Sequence, residues 1–305
     1  MSLSVWVADR PQRSFMGELP AEVDLHLIAR GAPLESDIDR AQFLVPPYNS
    51  LPLLERLASM RELRVIQAVS AGIEWLLPWV PDGVTLCNAR GTRDLAVAEW
   101  VIAVILTMEK RLLELASHQR QERWRPQLLA ELAGKRALVL GYGSVGERIA
   151  NRLTALDIQV RAVASRERAG VHGVDALQRL LPDAEIVVLA VPLTQQTQGL
   201  FDERMLTLMR PGALLVNVSR GAVLDTAALV ERLSAGHIRA ALDVTDPEPL
   251  PPGHPLWRAA GVLITPHLAG DTPQSEERVY RLIGDQIRRY VNGQPLLNVI
   301  GSCAP

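Results

Sequence analysis

The chain has 305 residues, of which 48% are hydrophobic, and its formal net charge is −2 at pH 7. This length is sufficient for two domains of ordinary size, each with its own hydrophobic core. The nearly balanced charge gives no indication of nucleic acid or an anionic membrane as a partner.

The N-terminal part of the chain alternates short apolar runs with polar turns, which predicts a parallel sheet covered by helices. The candidate strands are residues 4–8, 23–28, 43–45, 65–68 and 85–87, and residues 51–60 are predicted to form a helix. Asp9 and Arg10 interrupt the first apolar run too early for a signal peptide, and no run approaches the ~20 residues that span a bilayer. A cytoplasmic protein without a membrane partner is therefore expected.

A single long helix is predicted from Leu95 to about Arg120, because apolar residues recur at helical spacing in its first half. A helix of this length exceeds what one domain needs to cover its own sheet. We therefore expect it to cross between domains or to form the interface of a homodimer.

A second α/β unit is predicted from Lys135 onward. Its candidate strands are residues 137–140, 159–163, 186–189, 214–217, 240–243 and 262–264, and a last helix covers about 274–291. Six strands with intervening helices is the number found in doubly wound dinucleotide-binding domains. The two cysteines, Cys87 and Cys303, lie too far apart to predict a disulfide framework or a zinc cluster, so no metal site is expected.

A glycine-rich turn, Gly141-Tyr-Gly-Ser-Val-Gly146, joins the first strand of this second unit to an amphipathic helix. In a dinucleotide-binding turn the first glycine permits the tight exit from the strand, and the second allows the backbone to approach a pyrophosphate. The third allows the helix to pack on the strand, and the free N–H groups of the helix N-terminus face the phosphates. The pattern and its flanking elements predict a nucleotide-binding site.

Polar side chains concentrate after the strands of the second unit, where open α/β sheets bind ligands. Arg220, Glu248 and His267 follow three successive strands, so we expect their side chains to converge. A guanidinium can orient a carboxylate and polarise a ketone, whereas an imidazole can protonate a developing alkoxide. Glu248 would fix the tautomer of such an imidazole. Arg220, Glu248 and His267 are therefore candidate catalytic residues.

Several motifs in order resemble the D-isomer-specific 2-hydroxyacid dehydrogenases, and the likeness covers nearly the whole chain. They are Gly141-Tyr-Gly-Ser-Val-Gly, Pro192-Leu-Thr, Met209 through Gly221, Asp243-Val-Thr-Asp-Pro-Glu-Pro-Leu and Thr265-Pro-His. The resemblance implies that Arg220 binds the substrate carboxylate and keto oxygen, that Glu248 holds His267, and that His267 is the acid–base group. It also implies that the backbone of Ser70, Ala71 and Gly72 binds the carboxylate; Tyr48 is a candidate to close the substrate site.

The resemblance implies an α/β fold of two doubly wound domains, in which a Rossmann domain is inserted into a smaller flavodoxin-like substrate domain. The expected boundaries are 1–94 plus 272–305 for the substrate domain and 95–271 for the dinucleotide domain. The predicted cofactor-binding residues are Gly141, Gly143, Ser144, Val145, Gly146, Ser165, Arg166, Pro192, Thr197, Val218, Asp243, His267 and Gly270.

In NAD-preferring relatives an acidic residue follows the second strand of the dinucleotide domain. In this chain that position is Ala164, followed by Ser165 and Arg166. This favours NADP over NAD, although NAD remains possible. The expected reaction is hydride transfer between the cofactor and a small 2-keto acid of the glyoxylate or hydroxypyruvate class, which gives the D-2-hydroxy acid. A phosphoglycerate dehydrogenase-like enzyme and a non-enzymatic, nucleotide-sensing scaffold of the corepressor type are the alternatives.

Overall fold

The computed structural model describes residues 2–29 and 31–300, and the chain divides into two units. One unit combines Met1–Arg93 with Asp271–Pro305, and the other is the continuous segment Asp94–Gly270. Cys303 lies outside the described residues, whereas Cys87 is a buried free thiol. No helix in the described part of the chain is long and apolar enough to cross a membrane.

The first unit is built on a five-stranded parallel sheet with the order β2-β1-β3-β4-β5, which is the flavodoxin-like order. Its strands are β1 (Leu3–Ala8), β2 (Val23–Ile28), β3 (Phe43–Val45), β4 (Val65–Gln67) and β5 (Thr85–Cys87). In the register of this sheet, Val5 lies opposite both Leu25 and Phe43. The central strands β3 and β4 are short apolar runs buried along their whole length, whereas the edge strand β2 is mostly accessible.

The helix predicted at residues 51–60 is shorter than expected. Helix α1 (Leu51–Leu54) is followed only by a 3₁₀ turn at Leu57–Ser59. The hydroxyl of Ser59 donates to the carbonyl of Arg56, and such local bonds compete with a continued helix. The apolar residues nevertheless pack inward, since Leu53 and Leu57 are buried.

The second unit is built on a seven-stranded parallel sheet with the order β12-β11-β10-β9-β6-β7-β8. Its strands are β6 (Arg136–Leu140), β7 (Gln159–Ala164), β8 (Val171–Gly173), β9 (Ile186–Leu189), β10 (Leu214–Asn217), β11 (Arg239–Leu242) and β12 (Val262–Ile264). The strand order reverses between β6 and β9, as it does at the ligand-binding switch point of a Rossmann sheet. The prediction of six strands missed β8, which has three residues and too little apolar pattern to detect.

The helices of this second unit are α2 (Asp94–Glu109), α3 (Leu112–Arg120), α4 (Ser144–Thr154), α5 (Leu177–Leu180), α6 (Glu203–Leu208) and α7 (Thr226–Ser234). The single helix predicted from Leu95 to Arg120 is therefore wrong. Arg111 adopts a left-handed conformation with φ of 50° and separates α2 from α3. At the end of α2, buried Glu109 forms ion pairs with Lys135 and Arg239, both at 2.6 Å, which anchor the helix end to the sheet.

The last helix, α8 (Pro273–Val291), belongs to the first unit and agrees with the predicted C-terminal helix. The hydroxyl of Thr272 caps it by accepting a hydrogen bond from the Ser275 N–H. Its buried face, which includes Val279 and Ile283, packs in a cluster with Val5 of β1.

The core of the second unit lies on both faces of its sheet. Alternate residues of β6 enter different clusters, with Leu138 and Leu140 on one face and Ala137 and Val139 on the other. Burial of both faces explains why these strands are continuous apolar runs. The predicted α/β class with two doubly wound parallel sheets is confirmed.

Candidate active site

The glycine-rich turn connects β6 to α4, and two of its glycines are required by close backbone packing. Gly141 has a φ of 94°, and a Cβ placed on it would lie 2.3 Å from the carbonyl oxygen of Ala190. A Cβ on Gly146 would lie 1.8 Å from the carbonyl oxygen of Gly141. The start of α4 therefore packs directly on the turn, and no larger residue fits at either position.

Gly143 differs from these two glycines because space beside it is open. A Cβ placed on Gly143 would meet no atom within 4 Å, and its backbone is extended. Gly143 is the N-cap of α4 and provides no side-chain cap, so the first-turn N–H groups have neither an intrahelical carbonyl nor a capping side chain as partner. Uncapped N–H groups at the positive end of a helix dipole bind anions. The turn thus fits the pyrophosphate of a dinucleotide.

The carboxyl end of β7 is Ala164, and Ser165 and Arg166 follow it as exposed residues. Arg168, two residues further, reaches the glycine-rich turn: its Nη2 donates to the carbonyl of Tyr142 at 2.6 Å, and its guanidinium lies 5.5 Å from the centre of that ring. The Arg168 guanidinium is therefore bound to both the carbonyl and the ring of Tyr142. The pair joins the segment after β7 to the turn after β6.

The segment after β9 holds the predicted cofactor-binding residues Pro192 and Thr197. The Thr197 hydroxyl donates to the Pro192 carbonyl at 2.6 Å and accepts from the N–H of Thr194 at 2.8 Å. These bonds close the segment into a compact turn at the carboxyl edge of the sheet. Val218, which follows β10, is half-buried and donates its N–H to Leu189.

Arg220 lies three residues beyond the end of β10 in extended backbone. Its Nη1 donates to the carbonyl of Ser219 at 2.7 Å, and the side chain makes further interactions as well. The next residue, Gly221, contacts the segment after β11, since a Cβ on it would lie 2.0 Å from the carbonyl carbon of Thr245. The segments after β10 and β11 are thus packed backbone against backbone.

Glu248 and His267 form a hydrogen-bonded pair, with Glu248 Oε1 at 2.6 Å from His267 Nδ1. Glu248 belongs to the segment after β11, and His267 to the segment after β12, the neighbouring strand. Both side chains are about two-fifths exposed, at 41% and 37%. Because Nδ1 is held by the carboxylate, Nε2 is the ring nitrogen that can exchange a proton with a substrate.

Asp243 organises the turn that carries His267. The Asp243 carbonyl accepts the N–H of His267 at 2.7 Å, and His267 is held in a left-handed conformation with φ of 52°. The buried carboxylate of Asp243 accepts from the Thr265 hydroxyl at 2.6 Å and from the N–H groups of Leu268 and Ala269, both at 2.9 Å. The carboxylate is therefore occupied in shaping this turn, and contact with a cofactor stays a prediction.

The substrate-binding residues predicted in the first unit form a tight turn. The Ser70 hydroxyl donates to the Gly72 carbonyl at 2.6 Å and accepts from the indole N–H of Trp75 at 3.3 Å. The Asn88 amide donates to the Ala71 carbonyl at 2.8 Å. Carbonyl oxygens cannot donate to a carboxylate, so the backbone N–H groups are the candidate donors of this turn, and carboxylate binding by them stays a prediction.

Tyr48 lies beside this turn, with its ring centre 5.0 Å from that of Trp75. Tyr48 is exposed and has interactions beyond this ring pair. Arg93, the last residue before the second unit, forms ion pairs with Asp271 and Glu276. These pairs join the two segments of the first unit where the chain leaves it and returns.

Three structural features of the site were not predicted from the sequence. Trp75 supports the turn at Ser70, and Arg168 covers Tyr142; neither belongs to a motif. Asn217, the last residue of β10, bonds to the segment that carries Arg220. An asparagine two residues before a serine is a signal for an Asx-turn, so the role of Asn217 was detectable.

Known proteins show clear likeness to this chain. A family model described as "D-isomer specific 2-hydroxyacid dehydrogenase, NAD binding domain" matches residues 102–269. A glyoxylate reductase of Thermofilum pendens is 34% identical over 247 residues, which cover 76% of this chain and 73% of the relative. A D-3-phosphoglycerate dehydrogenase of Archaeoglobus fulgidus is 31% identical over 81% of this chain, but only 49% of the relative is covered, so this chain spans about half its length.

A solved structure extends the likeness to the whole chain. A D-isomer specific 2-hydroxyacid dehydrogenase of Xanthobacter autotrophicus Py2, in complex with NADPH and MES, superposes with a TM-score of 0.83. It is 30% identical in sequence, and 98% of each chain is covered. Together with the glycine-rich turn and the paired Glu248 and His267, these matches show that the chain belongs to the D-isomer-specific 2-hydroxyacid dehydrogenase family.

Proposed function

We propose that this protein is an NADPH-preferring oxidoreductase that reduces a small 2-keto acid, of the glyoxylate or hydroxypyruvate class, to the D-2-hydroxy acid. The observation that carries the proposal is the 2.6 Å pair of Glu248 and His267, next to the segment that presents Arg220. A glyoxylate reductase among the relatives supports the substrate class.

Each of the three side chains has a separate role in this reaction. Arg220 pairs with the substrate carboxylate and polarises the keto oxygen, since its fork can hold two oxygens at once. The Nε2 of His267 donates a proton to the oxygen of the forming alcohol. Glu248 holds Nδ1 and so fixes which nitrogen carries the transferred proton. The nicotinamide dinucleotide, when bound, supplies the hydride.

The first unit holds a second candidate substrate-binding element. The turn at Ser70, Ala71 and Gly72 presents backbone N–H groups, which suit a carboxylate because they are small and fixed donors. The indole N–H of Trp75 supports this turn by donating to the Ser70 hydroxyl, and the Tyr48 ring packs against Trp75. This assigns residues 1–93 and 271–305 to substrate binding, and 94–270 to the dinucleotide.

NADPH preference is supported by the residues after β7. Ala164 lacks the carboxylate that would repel a 2′-phosphate, and Ser165 and Arg166 are exposed there. A charge-assisted hydrogen bond is worth about 1.5–3 kcal/mol, which corresponds to a preference of about 10- to 100-fold in kcat/KM. We expect Arg166→Ala to remove most of this preference, whereas Arg161→Ala, which removes an exposed arginine from within β7, leaves it unchanged.

We also propose that the protein is a homodimer. The evidence for this is not the single long helix predicted from the sequence, which is absent, but the exposed residues that follow α2. No residue of α3 is buried in the single chain. In the segment that follows, Trp124 is 95% exposed and Leu128 is 99% exposed. Large apolar side chains left in water are typical of association surfaces. Sedimentation of the wild type at micromolar concentration should show a dimer. The double variant Trp124→Ser, Leu128→Ser should be a monomer, whereas the control variant Trp79→Ser should remain a dimer. A monomeric wild type would contradict the proposal.

Steady-state kinetics test the proposed function. We expect glyoxylate and hydroxypyruvate to be reduced with NADPH at higher kcat/KM than 3-phosphohydroxypyruvate. The likeness to a phosphoglycerate dehydrogenase makes 3-phosphohydroxypyruvate the alternative substrate. A higher kcat/KM for this phosphorylated keto acid than for glyoxylate and hydroxypyruvate would contradict the proposed substrate class. Tight NADPH binding without turnover of any 2-keto acid would instead favour the nucleotide-sensing scaffold.

A further inference from the structure

Asn217 is a fully buried amide at the carboxyl end of β10. The three residues before it in the strand are apolar and equally buried, so Asn217 is the polar exception in the strand. Burying an amide is unfavourable unless its donor and acceptor are both hydrogen-bonded. The bonds it makes therefore indicate why an asparagine is present.

The Asn217 side chain brackets Arg220 through bonds on both sides of it. Its Oδ1 accepts from the Ser219 N–H at 3.0 Å and from the Ser219 hydroxyl at 2.6 Å, while its Nδ2 donates to the Arg220 carbonyl at 3.0 Å. One planar amide thus holds the backbone before and after Arg220. We propose that Asn217 is a positioning residue that sets where the Arg220 guanidinium lies, an inference that rests on the substrate-binding role proposed for Arg220.

The far side of the same segment is closed by backbone packing. The Arg220 carbonyl also accepts from the Val223 N–H at 3.2 Å, and Gly221 lies against the Thr245 backbone. The Asn217 carbonyl in turn accepts from the Asp243 N–H at 3.1 Å, which ties β10 to the strand before the Glu248 segment. Arg220 is therefore held from the sheet side by Asn217 and from the loop side by Gly221.

Only an asparagine fits both bonds at this position. An aspartate has the same shape but would oppose a carboxylate oxygen to the Arg220 carbonyl, and an alanine would leave the Ser219 donors and that carbonyl without the amide. Misplacement of a substrate-positioning group by about 1 Å can cost about 100-fold in rate. The effect of losing Asn217 should therefore be visible in the kinetics with the keto acid.

The first experiment compares Asn217→Ala with Val216→Ala, which removes buried core volume from the same strand without touching the Arg220 segment. We expect Asn217→Ala to raise KM and lower kcat for glyoxylate, so that kcat/KM falls about 10- to 100-fold, with the dissociation constant for NADPH unchanged. Val216→Ala should lower the thermal unfolding temperature and leave KM for glyoxylate unchanged. Ser219→Ala, which loses one bond to Oδ1, should fold normally and show a smaller change in the same direction.

The second experiment asks whether Asn217 acts through Arg220. In an Arg220→Lys background, Asn217→Ala should have little further effect on kcat/KM, because the group that it positions is already changed. Full additivity of the two changes would overturn the proposal, as would equal kinetic losses in Asn217→Ala and Val216→Ala. A crystal structure of Asn217→Ala with Arg220 unmoved would overturn it regardless of activity. If the wild type reduces no 2-keto acid, it is the proposed function that fails.

Discussion

The open space beside Gly143 allows dinucleotide binding to be separated from folding by a single methyl group. Gly143→Ala adds a Cβ that meets no protein atom and sits in extended backbone, so the folded structure can accept it. The gain from a stiffer unfolded chain, about 0.4–1 kcal/mol, offsets the poorer N-cap quality of alanine, which costs a similar amount. The thermal unfolding temperature should therefore remain close to that of the wild type.

The same methyl group fills the space through which a pyrophosphate would approach the start of α4. Loss of one charge-assisted hydrogen bond to each of two phosphates removes about 3 kcal/mol, which corresponds to about 100-fold weaker NADPH binding. Titration of NADPH fluorescence measures the dissociation constant, and differential scanning calorimetry measures stability. Wild-type affinity for NADPH in Gly143→Ala would refute the assignment of this turn to the dinucleotide.

Gly146→Ala is the matched comparison, because its Cβ would lie 1.8 Å from a backbone oxygen. The overlap must be relieved by moving α4 or the turn, and overpacking of this kind costs about 1–3 kcal/mol or more. For a unit of this size each kcal/mol lowers the unfolding temperature by about 2–4 °C. The two alanine variants should therefore differ in stability although both weaken NADPH binding.

Further predictions concern the acid–base pair and the buried ion-pair cluster. His267→Ala should lower kcat by about 100- to 10,000-fold with NADPH affinity unchanged. Glu248→Gln should lower kcat by less, because the glutamine amide still contacts Nδ1 but carries no charge. Stopped-flow reduction of glyoxylate measures both effects, and undiminished turnover in His267→Ala would exclude His267 as the acid. Burial alone would raise the pKa of Glu109, but hydrogen bonds from Lys135 and Arg239 outweigh it and lower that pKa. Because the folded pKa lies below the unfolded one, the stability that Glu109 contributes is present above the ordinary glutamate pKa and is lost as the pH falls through the folded pKa. Glu109→Gln should thus lower the free energy of unfolding by about 3 kcal/mol at neutral pH. Urea titration at several pH values should show that this difference between variant and wild type becomes smaller as the pH falls. A difference that stays constant at all pH values would contradict this.

The central strands β9 and β10 were predictable because their burial on both faces leaves a continuous apolar run in the sequence, whereas the edge strand β8 lacks such a run and was missed. β10 was predicted at residues 214–217 and is found there. The break between α2 and α3 was not predictable, since Lys110 and Arg111 are good helix formers and no glycine or proline marks the position. It occurs where Glu109 meets Lys135 and Arg239, contacts that are distant in sequence.

The candidate site was predictable where order along the chain determines position in the sheet. Arg220, Glu248 and His267 follow neighbouring parallel strands, so their place at one edge of the sheet follows from topology, and Glu248 and His267 are in contact there. The supporting bonds depend on side-chain direction, which a sequence pattern does not contain. Asp243 illustrates this limit, since the bonds by which its carboxylate shapes the turn at His267 were not predicted.

The most direct test of the account is the reduction of hydroxypyruvate by the wild type with NADPH, with the product resolved by chiral chromatography. We expect D-glycerate, formed at a rate that falls by about 100- to 10,000-fold in His267→Ala although that variant still binds NADPH. No consumption of hydroxypyruvate, an L product, or equal rates for wild type and His267→Ala would contradict it.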